Sequence, residues 1–314
     1  MKHLYKFIAL VFIFMIGIAF FSKSIPSISV STTTASSIQD STFPMVYLQV
    51  GESFINPLHG YSSELNSSTV RESITPLDTG KTFAVNIAEN DSKIKKLSYE
   101  LRDIANNKSI ETGDITAFDK NKKYKVATVH LKEAMDTSTE YGFCMTLITN
   151  YSKKIHFYTR IKYYDNDFFL SKKLDFVAKF HAATFDQGKS LDLSQYLESG
   201  TNDDSSYESV DIHSSRKLIT WGKLKPRKLT DVVPTVKELN IETAAISQTY
   251  FVSATTASGS ETYQVKEFYR VRYSGGRIYL LYFKRTMEAI FDPSLISINK
   301  SEVKIGISSA EDLD

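Results

Sequence analysis

The chain is poor in cysteine, proline and glycine: of 314 residues, one is Cys, 7 are Pro and 13 are Gly. A single cysteine, Cys144, excludes an intramolecular disulfide, so the apolar cores alone must hold the folded chain. It also excludes Cys-x-x-Cys redox and zinc centres. With no histidine beside it in a recognised arrangement, Cys144 reads as a small buried apolar residue. Excess charge of one sign is also missing. The net charge of +2 gives no polybasic basis for holding nucleic acid and leaves no acidic tail. Familiar catalytic signatures are absent too: the chain contains no G-x-S-x-G, H-E-x-x-H or G-x-x-x-x-G-K-[ST].

Aromatic residues are abundant instead, with 20 Phe and 18 Tyr. Together with the β-branched residues they favour sheet, and the chain is long enough for two domains. The opening segment, MKHLYKFIALVFIFMIGIAFFSKS, places Lys2, His3 and Lys6 before an apolar run from Phe7 to Phe21. At about 1.5 Å per helical residue this run approaches the ~30 Å of a bilayer core. Residues 1–21 are therefore expected to form a membrane anchor, with the basic flank in the cytoplasm and the bulk of the chain extracytoplasmic. The competing reading is a cleaved signal peptide. Phe20-Phe21-Ser22-Lys23 offers no small-residue cleavage site, and Thr33-Thr34-Ala35 lies far downstream. Residues 22–42 are rich in Ser and Thr without helical periodicity, which predicts a flexible tether. Asn-x-Ser sequons such as Asn66-Ser67-Ser68 and Asn150-Tyr151-Ser152 carry weight only in a glycosylating pathway.

From residue 43 to 164 short runs alternate with a period of two. In IKKLSYELRD, Leu97, Tyr99 and Leu101 share one face; in KKIHFYTRIKY, Ile155, Phe157, Ile161 and Tyr163 oppose Lys154, His156, Tyr158, Arg160 and Lys162. About seven such strands, parted by turn clusters, predict an all-β sandwich of immunoglobulin-like type. The stretch MDTSTEYGFCMTLIT resembles the penultimate-strand entry of fibronectin type III domains. That likeness implies a corner tyrosine at Tyr141, its hydroxyl bonded to upstream backbone.

At residue 165 the period changes. Leu170, Leu174, Val177, His181 and Phe185 recur at helical spacing, widened by Phe169, Phe176 and Phe180, with Asp165 or Asp167 to cap the start and Gly188 to follow the end. LDLSQYLES predicts a short second helix. RKLITWG, IETAAISQTYFVSA, TYQVKEFYRVRY and RIYLLYFKR predict strands, and EVKIGIS a further one. Residues 165–314 thus read as an α+β domain. One helix followed by a long antiparallel meander resembles cone-shaped folds of the nuclear-transport-factor type, which host both isomerases and non-catalytic assembly modules.

Within EFYRVRYSGGRIYLLYF, Gly275-Gly276 predicts a two-residue turn. In-register pairing then sets Tyr269 opposite Tyr282, Glu267 opposite Lys284, Arg272 opposite Tyr279 and Arg270 opposite Leu281. The face of Arg270, Arg272 and Tyr279 is the expected contact surface, because Arg and Tyr are favoured at interfaces. Trp221 is a second candidate for recognition, against the simpler reading of a core tryptophan in a strand. The histidines are scattered and no metal-ligand spacing is evident. His181 falls on the apolar side of its helix, as a satisfied core histidine would. Asp165-Asn166-Asp167 lacks the glycine and distal Glu of a calcium loop, and Asp203-Asp204 reads as a solvated loop.

No cofactor, metal or nucleic-acid partner is expected. The layout resembles membrane-anchored extracytoplasmic proteins of Gram-positive bacteria, which implies an envelope or membrane protein partner and a binding, scaffold or regulatory role. The alternative is an envelope enzyme with a pocket in the α+β domain.

Overall fold

The computed structural model describes residues 43–66, 69–106, 108–198, 206–256 and 259–290, with isolated positions 6 and 15. The expected anchor and tether, Asp203-Asp204 and EVKIGIS lie outside the described residues, those two positions apart. No helix among the described residues is long and apolar enough to cross a membrane. The fold is mostly β, in three sheets with few helices.

Ten strands precede the helical segment: β1 Met45–Val50, β2 Ser53–Leu58, β3 Ile74–Leu77, β4 Thr82–Ala88, β5 Ile94–Asp103, β6 Ser109–Ile115, β7 Asp119–Asn121, β8 Tyr124–His130, β9 Glu140–Thr149 and β10 Lys154–Tyr163. They form two five-stranded sheets in a sandwich-like arrangement, ordered β2-β1-β4-β8-β7 and β3-β10-β9-β5-β6. All pairs are antiparallel except β3 with β10. The period of two delivers Val46, Leu48, Val85, Ile87, Phe143, Met145 and Leu147 to a core where each is fully buried. Phe83 and Phe143 meet edge to face across the two sheets at 5.4 Å. The Tyr141 hydroxyl accepts the Asp136 N–H at 2.8 Å, the corner bond expected from its sequence context.

β10 departs from simple alternation: every residue from Ile155 to Ile161 is buried. Its second face is covered rather than solvated. Tyr61 bridges to His156, the Tyr158 hydroxyl accepts the Leu65 N–H, and Arg160 reaches the Lys237 carbonyl.

The second half opens with α1, Leu170–Phe185, followed by a 3-10 turn Leu193–Gln195, β11 Ser209–Asp211, a one-turn helix α2 Arg216–Ile219, β12 Arg227–Lys228, β13 Thr235–Leu239, β14 Thr243–Thr256, β15 Gly259–Ser274 and β16 Arg277–Ala289. The third sheet runs β11-β16-β15-β14-β12, with β13 also on β14. Asp167 accepts the Phe169 N–H at 2.7 Å, but the N-cap of α1 is Phe169 itself, without a side-chain cap. Gly188 follows the helix end as expected, its N–H on the Ala183 carbonyl. RKLITWG is not a strand. Ser215 caps α2 by accepting the Leu218 N–H, and Leu218, Ile219 and Trp221 are buried along a helical turn rather than by alternation.

All described residues from Phe43 onward belong to one compact unit. Asn56 stitches its halves together. Its amide donates to the Ile74 carbonyl and Thr75 hydroxyl, its side-chain oxygen accepts the Val236 N–H, and its own N–H donates to the Pro234 carbonyl. The Tyr164 hydroxyl donates to the Leu239 carbonyl and the Lys237 ammonium to the Glu72 carbonyl.

Candidate functional site

The β15–β16 hairpin positions the site. Gly275 and Gly276 turn the chain at φ 58° and 78°, the positive values a type I′ turn demands and a side chain resists. Next to the turn, Tyr273 pairs with Ile278, Arg272 with Tyr279 and Val271 with Leu280, as sequence alternation predicts. Leu281 then stands as an extra residue opposite the Arg270–Val271 step. Beyond this bulge Arg270 pairs with Tyr282, Tyr269 with Phe283, Phe268 with Lys284 and Glu267 with Arg285. The expected pairing is therefore corrected by one residue from Leu281 onward. A one-residue insertion sends every later side chain to the opposite face, so Phe283 and Arg285 turn inward while Tyr282 and Lys284 turn outward.

The outer face that results carries Lys266, Phe268, Arg270 and Arg272 from β15, Tyr279, Tyr282, Lys284 and Thr286 from β16, and Ser247 and Thr249 from β14. Phe268 is 36% exposed; Tyr279, Leu281 and Tyr282 are each 42% exposed. A concavity of about 750 Å³ opens here, lined by Lys237, Lys266, Phe268, Arg270, Tyr282 and Lys284 among others. Phe268 and Tyr282 form its aromatic floor, edge to face at 5.9 Å. Arg270 lies 3.4 Å from Glu238 and Lys266 3.5 Å from Glu288, both half-exposed pairs. Burial lowers the Lys237 ammonium below its usual range, with Arg160 adding to the effect and Glu72 opposing it.

Of the four residues singled out from sequence, three share this face. Arg272 stacks over the Tyr279 ring at 5.1 Å and Arg270 joins the concavity. Trp221 lies elsewhere, 1% exposed, in the turn after α2 with φ 66°. It is a core residue there, with the buried Arg285 guanidinium 3.5 Å from its ring centroid. Alternation already places Phe268 on this face, but sets Tyr282 and Lys284 on the opposite one, because nothing local to the apolar run Tyr279-Leu280-Leu281-Tyr282-Phe283 marks the bulge.

The inner face holds a buried polar cluster under α1. Glu267 accepts from His181 Nδ1 at 2.8 Å, from the Tyr269 hydroxyl at 2.7 Å and from the Tyr250 hydroxyl at 2.9 Å. Burial pushes its carboxyl up, but His181, Arg285 and the Tyr269 bond more than offset this and hold it below the usual range. Both tyrosines are raised well above theirs, chiefly by burial and then by Glu267. Arg285 donates to the Leu218 and Ile219 carbonyls at the C-terminal end of α2, where a cation is favoured. The His181 and Glu267 side chains are 7% and 0% exposed, so a substrate has no approach to the pair in this conformation. Cys144 is equally unsuited to nucleophilic chemistry, its thiol pushed up to about 11 by burial. Among the described residues no group of three or more His, Cys, Asp or Glu could hold a metal ion.

No protein-family model matches the chain, and no curated protein matches it.

Proposed function

We propose that this protein is a membrane-anchored extracytoplasmic module that binds an envelope or membrane protein partner, acting as a scaffold or regulator rather than as a catalyst. The outer face of the third sheet carries this reading: four aromatic or aliphatic side chains are exposed at 36–42% beside Arg270, Arg272 and Lys284. Exposed aromatic and Arg side chains gathered on one face are the usual make-up of a recognition surface. The basic flank and apolar run at residues 1–21 support the anchor, and Ser/Thr-rich residues 22–42 support the tether.

The strand orders, the parallel β3–β10 pair and the Tyr141 bond support an immunoglobulin or fibronectin type III-like sandwich over residues 43–164. The packing of α1 on one face of the long β14–β16 meander supports a cone-like α+β domain over residues 165–314. A catalytic reading would place the chemistry at His181 and Glu267, but their burial favours a structural role.

The test replaces Arg270 and Arg272 together with Ser. Both side chains point away from the core, so the melting temperature should stay close to wild type while recovery of partners from solubilised native membranes falls. Unchanged recovery would count against the face; loss of soluble protein would assign both arginines to the core.

A further inference from the structure

The chemistry of the same concavity also defines its occupant. We infer that it takes an acidic, apolar-anchored peptide segment of a partner protein, an inference that rests on the outer face being the binding surface. Four cationic residues line the concavity: Lys266, Arg270 and Lys284, together with Lys237, whose ammonium turns to the Glu72 carbonyl at 2.6 Å. The lone acidic residue of the lining, Glu267, turns its carboxylate inward to His181, Tyr250 and Tyr269. The lining itself is therefore cationic, with Glu288 and Glu238 beside it balancing Lys266 and Arg270, and charge complementarity at Lys284 selects an anion. Lys266 and Arg270 each face one half-exposed carboxylate at 3.5 and 3.4 Å. Such pairs are weak and exchange readily for a partner's carboxylate. No carboxylate lies within ion-pair distance of Lys284 among the described residues.

The floor makes a different demand. Phe268 and Tyr282 expose ring surface inside the concavity, which a purely polar anion would leave unused. An aliphatic or aromatic side chain set between acidic neighbours meets both requirements. A flat anionic bilayer does not, because the rings line a recess.

The probe is a fluorescein-labelled ten-residue peptide of alternating Glu and Leu, added to the full chain in nanodiscs of neutral phosphatidylcholine. A Lys/Leu peptide, an all-Glu peptide and phosphatidylglycerol vesicles are run beside it. The Glu/Leu peptide should bind, weaken as salt is raised, and lose about tenfold or more in affinity in the Arg270→Glu, Lys284→Glu variant and again in Tyr282→Ser. Retained Trp221 emission shows that each variant is folded. If charge reversal disturbs folding, Arg270→Gln with Lys284→Gln takes its place, with the same direction expected. Equal binding of the Lys/Leu or all-Glu peptide, or affinity unmoved by these substitutions, overturns the inference. Vesicle binding that depends on the same residues without peptide binding assigns the surface to lipid instead. A photo-crosslinker at Tyr282 in native membranes separates the two levels. Adducts without peptide binding reject the acidic class and keep the face, whereas no adducts and no peptide binding reject both.

Discussion

Lys173 and Glu267 are buried ionisable residues whose surroundings shift them in ways that make stability depend on pH. Lys173 is fully buried in α1, and its ammonium donates to the carbonyls of Phe168, Asn240 and Ile241 at 2.8–2.9 Å. Burial pushes it down to about 8, with Asp167 and Glu242 opposing. The unfolded chain, with a lysine near ~10.4, therefore binds more protons than the folded chain between these values, and this lysine's contribution to stability rises with pH across that window. Between pH 8 and 9.5, below the range where unfolded tyrosines ionise, wild type should gain up to about 1 kcal/mol per pH unit relative to Lys173→Met. Urea midpoints at both pH values measure this, and parallel slopes would refute it. Glu267 is the opposite case. Its carboxyl lies below the usual range, so its contribution is complete above ~4.3 and is lost as pH falls through the folded value. Glu267→Ala strands His181, Tyr250 and Tyr269 and removes the countercharge near Arg285. The expected cost is about 3–5 kcal/mol, read from the urea midpoint. A cost below about 1 kcal/mol would contradict the buried-cluster account.

The hairpin is where local sequence and final structure part company. Its turn was legible because only residues tolerant of positive φ suit Gly275 and Gly276. Its first three pairs followed from alternation, and its later pairs did not, because the Leu281 bulge inserts one residue. Deleting Leu281 should remove the extra residue and leave Val271–Leu280, Arg270–Tyr282 and Tyr269–Phe283 as consecutive pairs, so that Phe283 and Arg285 stay inward. Phe283 would then keep its packing on Phe180 at 5.0 Å and Tyr269 at 5.1 Å, and the variant should be soluble with native Trp221 emission. Loss of soluble protein would show that the bulge itself is needed to shape the sheet. Other elements divide the same way. β5 forms over the run read as a strand, with Leu97 and Leu101 buried, β10 forms where expected but is buried on both faces from Ile155 to Ile161, and α1 matches its helical period. α2 was mistaken for a strand because a run of seven residues is too short to establish a period, and Ser215 decides the matter as a cap.

At the scale of the molecule, the sequence conveys composition and order but not what covers what. Nothing local to β10 announces that Tyr61, Leu65 and Lys237 would bury its second face. Nothing in Asn56 forecasts bonds to both Thr75 and Val236. These are long-range contacts, invisible to periodicity. Alternation on β15 sends Arg270 and Arg272 outward and Tyr279 pairs with Arg272 on β16, as expected, while Trp221 is buried in the turn after α2. The claim joining these scales is that the outer face of the third sheet is the recognition surface of an envelope-tethered protein. The most direct measurement puts a photo-crosslinking side chain at Tyr282 and, as a control, at Tyr151, which is 84% exposed on the β9–β10 turn, and irradiates native membranes. The account predicts discrete adducts from Tyr282 that vanish when Arg270 and Lys284 are reversed in charge, and none of the same mass from Tyr151. Identical adduct patterns from both positions, or none from Tyr282, would contradict it.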